Sequence, residues 1–375
     1  MKEKYNFLKA LAVFAGTIIG AGIFGLPYVT LKAGFFVVII YFFVLAAIAI
    51  IVHSLLGEIA RNTEKTARIP GYAEEYLGKK AKNFTFIVST LGLMGALLAY
   101  LILGGHFFYL FFSSLFGGTE IFYTLIFFGA GAFLIFKGRK DIAQFELAML
   151  LFFIILLFIF FFHSFDFIDL KNFTAFDFSY LTFPYGMVLF SLWGLALVPE
   201  ASEMVNGDKK KLRQVIISGI IFSAICYIFF IFIILGASGI NTSPDAISGF
   251  IRDTGDGAAK LGFIFGLITT FTSFITLGLT LKKIFWYDLK LPERTSWFIA
   301  CFTPLILYFA GFKNFINVIS LTGAVMIGLE AIIVIFIYKA FIQKKFRRQA
   351  GFWIYPLVAL FLIGIFLELF YYFKQ

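Results

Sequence analysis

The stretch GTIIGAGIFGLP, Gly16–Pro27, decides how this chain is read. Its core GAGIFG, Gly20–Gly25, spells G-x-G-x-x-G, the glycine fingerprint of a dinucleotide-binding turn. That chemistry needs a strand before the glycines, a helix after them, and an acidic residue about 20 positions on. Here the glycines stand between LKALAVFA and FFVVIIYFFVLAAIAIIV, and the next acid is Glu58. The pattern matches and its surroundings do not. Glycines inside an apolar run of this length point to an interrupted membrane helix.

Composition agrees. The 375 residues are 61% hydrophobic and only 14% charged, against about 25% charged in soluble domains. Apolar runs long enough for a hydrocarbon core of about 30 Å recur along the chain. They place spans near 6–30, 34–56, 83–115, 120–136, 142–164, 184–204, 213–239, 260–281, 295–311, 315–338 and 351–373. With the N-terminus in the cytoplasm, 25 of the 31 Lys and Arg lie on the cytoplasmic side, all except Lys32, Lys171, Arg252, Lys260, Lys313 and Lys374. This asymmetry is the positive-inside rule, and an odd number of spans puts the C-terminus outside. The net charge of +10 is thus a membrane address, and no nucleic-acid partner is expected. Cys226 and Cys301 fall inside spans and form no metal or disulfide pattern.

The expected fold is an all-α polytopic membrane protein, one transporter domain over 1–375. The first span carries GTIIGAGIFGLP and the sixth carries FSLWGLALVPE, Phe190–Glu200, each with glycine and then proline inside an apolar helix. Five spans separate them, so they enter the membrane from opposite sides. Paired breaks in two inverted halves, here 1–164 and 184–339 with 351–373 appended, mark a secondary transporter's binding site. Such breaks free backbone groups that lipid cannot satisfy, and they are tolerated where they line a cavity or are buried in protein. Unwinding at Gly20-Ala21-Gly22 bares the N–H groups of a half-helix from Ile23 onward, which suit a carboxylate. The preceding carbonyls, and those around Ser191 to Gly194, suit an ammonium group or a cation. The same glycines also form small-xxx-small patterns, Gly16 with Gly20 and Ala21 with Gly25, which pack helices closely. The matching break in the sixth span favours transport.

GTIIGAGIFGLP followed by AGF resembles the first helix of the amino acid–polyamine–organocation superfamily. More narrowly it is similar to the bacterial aromatic amino acid (tyrosine/tryptophan) permeases and the related amino acid/auxin permeases. NGDKKKLRQVIISG, Asn206–Gly219, resembles the loop into their seventh helix, and TSFITLGLTLKKIFWYDL, Thr272–Leu289, their eighth helix. FSLWG with VPEASEM resembles the sixth helix of the amino acid/auxin group. The likeness runs from the first through the tenth span. It implies the five-plus-five inverted repeat of the leucine transporter, with broken first and sixth helices and 11 spans in all. It also implies a substrate carboxylate on the backbone of Gly20, Ala21, Gly22 and Ile23, and an ammonium on carbonyls of Ile18, Phe190, Ser191 and Leu192. Phe190 sits where members place an aromatic over the substrate, and Trp193 follows it.

No cofactor is expected beyond a coupling ion, Na+ or H+. Thr269, Thr272 and Ser273 share one face of the eighth helix. Their hydroxyls, with carbonyls of Gly16 and Ile19, form a hard-oxygen set suited to sodium; the other reading is that they bond back to their own helix. Relatives with a second sodium carry Asn where this chain has Ile23, and the lysine of some proton-coupled relatives is missing from the fifth span. Protons can instead use a carboxylate inside a span, Glu330 or Glu200. Glu200 and Glu203 are also placed for an ion pair with a basic loop residue such as Arg68, a role expected chiefly for Glu203. Neither H-E-x-x-H nor G-x-S-x-G occurs, so an enzyme is not expected. The expected function is import of an amino acid, aromatic or neutral, by cation-coupled symport across the inner membrane. A proton-driven carrier or exchanger, or a non-transporting sensor on the same scaffold, is the alternative. The bilayer and the substrate are the expected partners, with no obligatory protein partner.

Overall fold

The computed structural model describes residues 2–63, 67–138, 142–255, 259–349 and 351–374. Among them every regular element is helical. In chain order these are α1 Lys2–Ile18, α2 Gly22–Ala33, α3 Phe35–Asn62, α4 Ile69–Leu77, α5 Lys79–Phe116, α6 Glu120–Lys137, α7 Ile142–Ser164 and α8 Pro184–Ser191. They continue as α9 Val198–Met204, α10 Lys209–Ser238, α11 Ile247–Thr254, α12 Ala259–Lys283, α13 Glu293–Phe309, α14 Phe315–Leu321, α15 Gly328–Phe346 and α16 Ile354–Lys374.

Hydrocarbon forces each crossing segment to satisfy its own backbone, and a helix does so. Among the described residues nine helical segments are long and apolar enough to cross, and α1 with α2 make a tenth as a pair bent by 48°. The one expected span left over, 295–311, coincides with α13. At 17 residues α13 is only about 26 Å long, and its first turn is the polar run Glu293-Arg294-Thr295-Ser296. Length and apolarity alone therefore do not reach the expected count of 11. α5, with 38 residues, is about 57 Å long, far more than one hydrocarbon thickness. It forms a central post against α4, α6 and α12.

Both expected breaks are present. In the first, residues 19–21 leave the helix between α1 and α2, where Gly20 N–H turns back onto the Ile18 carbonyl at 2.8 Å. In the sixth span α8 ends at Ser191, a short 3-10 turn covers Leu195–Leu197, and α9 follows. A third irregularity was not anticipated. The span 315–346 winds as a π-helix over Thr322–Ile327, between α14 and α15. Single π turns of this kind commonly sit beside functional sites. Gly323 permits it, since a Cβ there would collide with the Gly186 carbonyl of α8.

GYAEEYLGKK, Gly71–Lys80, covers most of α4, the capping Gly78 and the first residues of α5. The outer loop forms α11, where Asp245 Oδ2 accepts from Ser248 N–H at 3.2 Å and Ser243 Oγ accepts from Gly249 N–H at 2.9 Å.

Candidate functional site

The two breaks face each other. A Cβ added to Gly22 would strike Ser191 Oγ, and one on Gly194 would lie 2.8 Å from Ile18 Cγ1. Only glycine lets the chains approach this closely. Helices from outside the pair hold the frayed ends. Tyr227 of α10, fully buried, points its hydroxyl at the Ile18 carbonyl (2.5 Å) and the Ser191 carbonyl (2.9 Å), one from each break. His53 of α3, also fully buried, has Nδ1 2.7 Å from the Ala49 carbonyl, and its Nε2 accepts from Gly194 N–H at 3.0 Å. A carbonyl can only accept and an amide N–H can only donate, so these partners specify a neutral ring with its proton on Nδ1.

Beside the junction lies a cavity of about 70 Å³, lined by Ile18, Ser89, Tyr100, Phe190, Trp193 and Glu330 among others. Glu330 is buried, Oε1 accepting from Ser89 Oγ–H at 2.6 Å and Oε2 from Trp193 Nε1–H at 3.1 Å. No ion pair reaches it among the described residues; burial and these two neutral donors make its whole environment. A charge inside a span carries a cost on the order of 3 kcal/mol by insertion scales, a cost that hydrogen bonds to Ser89 and Trp193 offset in part. Trp193 stands edge-on to His53, ring centroids 4.9 Å apart. Glu330 thus joins a side chain of α5 to the unwound part of the sixth span.

The expected site residues separate into three groups. Ile18, Phe190, Trp193 and Glu330 line the cavity. Gly20, Ala21, Gly22, Ile23, Ser191 and Leu192 form the junction behind it; Tyr100 occupies the space in front of Gly20, where a Cβ would meet its hydroxyl. The third group, Gly16, Ile19, Thr269, Thr272 and Ser273, lies outside the cavity lining. Thr272 bonds back to the Thr269 carbonyl at 3.1 Å, the habit weighed against a sodium role. Among the described residues Ser273 Oγ is buried without a hydrogen-bond partner, and α12 packs against α1.

Glu200 is drawn away from the cavity. Its carboxylate meets Arg68 at 2.7 Å, whereas Glu203 is exposed. The ion pair expected chiefly for Glu203 belongs to Glu200, because α9 turns that side inward. Further along α5 a wider vestibule of about 620 Å³ is lined by Tyr28, Lys32, His106, Glu120, Asp245 and Lys313. His106 Nδ1 lies 2.9 Å from Glu120 and its Nε2 lies 3.6 Å from Asp245. In the loop, burial works to raise the Asp245 carboxyl, but hydrogen bonds from His106, Ser243 and Ser248 hold it below its ordinary value of 3.8. Ser89 and Tyr227 were not anticipated. Each meets partners remote in sequence, 241 residues away for Ser89 and 209 for Tyr227.

The sequence profile of the tryptophan/tyrosine permease family matches residues 3–371. The chain belongs to the tryptophan/tyrosine permease family. No curated protein matches the sequence. The solved structure of MhsT in complex with L-phenylalanine superposes with a TM-score of 0.70 at 16% identity, covering 97% of each chain. Mhp1, a nucleobase-cation-symport-1 family transporter in a closed conformation, gives 0.69 at 14% identity over 93% of this chain and 80% of its own. A manganese transporter of Eremococcus coleocola gives 0.64 at 13% identity, over 96% and 85%. The permease therefore has the leucine-transporter-like fold, with broken first and sixth helices. It is a multi-pass membrane transporter and not an enzyme.

Proposed function

We propose that the permease imports an aromatic amino acid by alternating access, seating the zwitterion at the junction of the two broken helices and coupling uptake to a cation. The observation that carries this is the apposition of the breaks, Gly22 on Ser191 and Gly194 on Ile18. The backbone N–H groups of Gly20 to Ile23 receive the carboxylate. The carbonyls of Ile18 and Phe190 to Leu192 receive the ammonium, which has donors only. Family membership and the L-phenylalanine complex of MhsT favour an aromatic side chain. Phe190, Trp193 and Tyr100 are the surfaces it would meet.

Small-molecule pockets run to about 300–1,000 Å³, so the present cavity of about 70 Å³ must widen to take such a substrate. That widening is the conformational step of alternating access. The permease crosses the inner membrane 11 times in this reading, with its N-terminus cytoplasmic, its C-terminus outside and its repeats at 1–164 and 184–339.

Two cation seats remain in play. Thr269, Thr272 and Ser273 with carbonyls of Gly16 and Ile19 form the sodium seat, and Glu330 is the proton seat. The buried carboxyl inside the cavity favours the proton. Glu330 can carry it while its hydrogen bonds to Ser89 and Trp193 report its state to both sides of the cavity.

Calorimetry on the purified permease tests the substrate reading. L-tryptophan, L-tyrosine and L-phenylalanine are expected to bind, while tryptamine and indole-3-propionate, each lacking one charge, bind at least tenfold more weakly. Equal binding of these analogues would remove the zwitterion seat.

A further inference from the structure

A cleft of about 360 Å³ opens between α3 and α10, apart from the transport cavity. Three cations line it: Arg61 in the last turn of α3, and Lys209 and Arg213 at the start of α10. None of the three has an ion pair or hydrogen bond to any described residue. Glu58, which lines the cleft, accepts from the Tyr338 hydroxyl at 3.2 Å, and Asp208 caps α10 by accepting from Lys211 N–H at 3.0 Å. Apart from Ser54 and Glu58 the rest of the wall is apolar, with Ile50, Ile51, Leu55 and Ile217 continuing away from the charges. Ile51 is 38% exposed. At Gly57 a Cβ would lie 3.2 Å from Leu212 Cδ2, so this glycine lets the helices close the floor of the cleft.

A soluble anion would satisfy the cations and leave the isoleucine wall unused. A neutral lipid would cover the wall and leave three cations unpaired. An amphiphile with an anionic head and an acyl chain satisfies both, and basic clefts between spans bind such head groups. We infer that the α3–α10 cleft is a binding site for an anionic phospholipid. Its phosphate lies among Arg61, Lys209 and Arg213, and one acyl chain runs along Ile50, Ile51 and Ile217. The same two helices carry His53 and Tyr227, which hold the broken ends.

The test uses full-length permease stripped of lipid in detergent, with phosphatidylglycerol, phosphatidylcholine and inorganic phosphate as probes, read by native mass spectrometry and thermal melting. Phosphatidylglycerol alone is expected to remain bound and raise the melting temperature. The double variant Arg61→Gln/Arg213→Gln is expected to lose at least tenfold in phosphatidylglycerol affinity while its amino-acid binding stays unchanged. Should that variant not purify, Lys209→Gln, at an exposed position, shows a smaller loss in the same direction. Equal retention of phosphatidylcholine, stabilisation by phosphate alone, or phosphatidylglycerol affinity untouched by the substitutions would each overturn the site.

Discussion

At the scale of single residues, the glycines of the first break matter for what they leave out. Gly22 faces Ser191 so closely that a methyl group has no room beside Ser191 Oγ. Gly22→Ala is therefore expected to cut amino-acid affinity at least tenfold, and Gly22→Ala/Ser191→Gly to recover part of it; an unimpaired single variant would sink the close approach. These glycines were legible in the sequence, because a break in a membrane helix is a backbone event that glycine and proline announce. Glu330 was legible as a carboxyl out of place, but its partners were not. Ser89 and Trp193 meet it only through the fold, 241 and 137 residues away. Glutamine at 330 is neutral like the protonated acid, with an acceptor oxygen and an NH2 donor group in place of C=O and O–H. Glu330→Gln is expected to abolish stimulation by a proton gradient while amino-acid exchange between the two sides of the membrane continues. Retained stimulation would return the coupling role to the sodium seat at Thr269, Thr272 and Ser273.

Between elements, ion pairs hold the permease at two levels. Arg68, just before α4, meets Glu200 of α9 with side chains 14% and 16% exposed. Each group keeps a further buried atom without a partner among the described residues, Arg68 Nη1 and Glu200 Oε2. Removing one partner of a fully buried pair costs about 3–5 kcal/mol, and some exposure reduces that here. Arg68→Ala is expected to lower the melting temperature, and Arg68→Ala/Glu200→Gln to restore most of it; an additive loss would mean that the two side chains are not coupled. The sequence offered both Glu200 and Glu203 for this role, since only the turn of α9 decides which one points inward. At the opposite level, Asp245 anchors α11 to itself and to His106. Its folded-state pKa is depressed, so its stabilisation is present above pH 3.8 and is lost as pH falls through the lower, folded value. Hydrogen exchange across 243–254 is therefore expected to stay slow from neutral pH to about 4 and to quicken below it in the wild type, and to be quick throughout in Asp245→Asn. Identical pH profiles for the two proteins would remove the anchor.

For the whole molecule, the order of spans and the two breaks were readable from hydropathy and glycine placement. The π-helix at Thr322–Ile327 was not, because it leaves no mark in an apolar run that already reads as helix. The cavity volume was equally hidden, since it depends on how Tyr100 and Trp193 pack. The central claim is that the facing breaks carry an amino acid across the membrane with a cation. Uptake of labelled tryptophan into proteoliposomes tests it most directly, under an imposed proton gradient, an imposed sodium gradient and neither. Accumulation above the no-gradient control under the proton gradient, lost in Glu330→Gln, is the expected result. Binding without accumulation under any gradient would contradict transport and leave a sensor built on a carrier's scaffold.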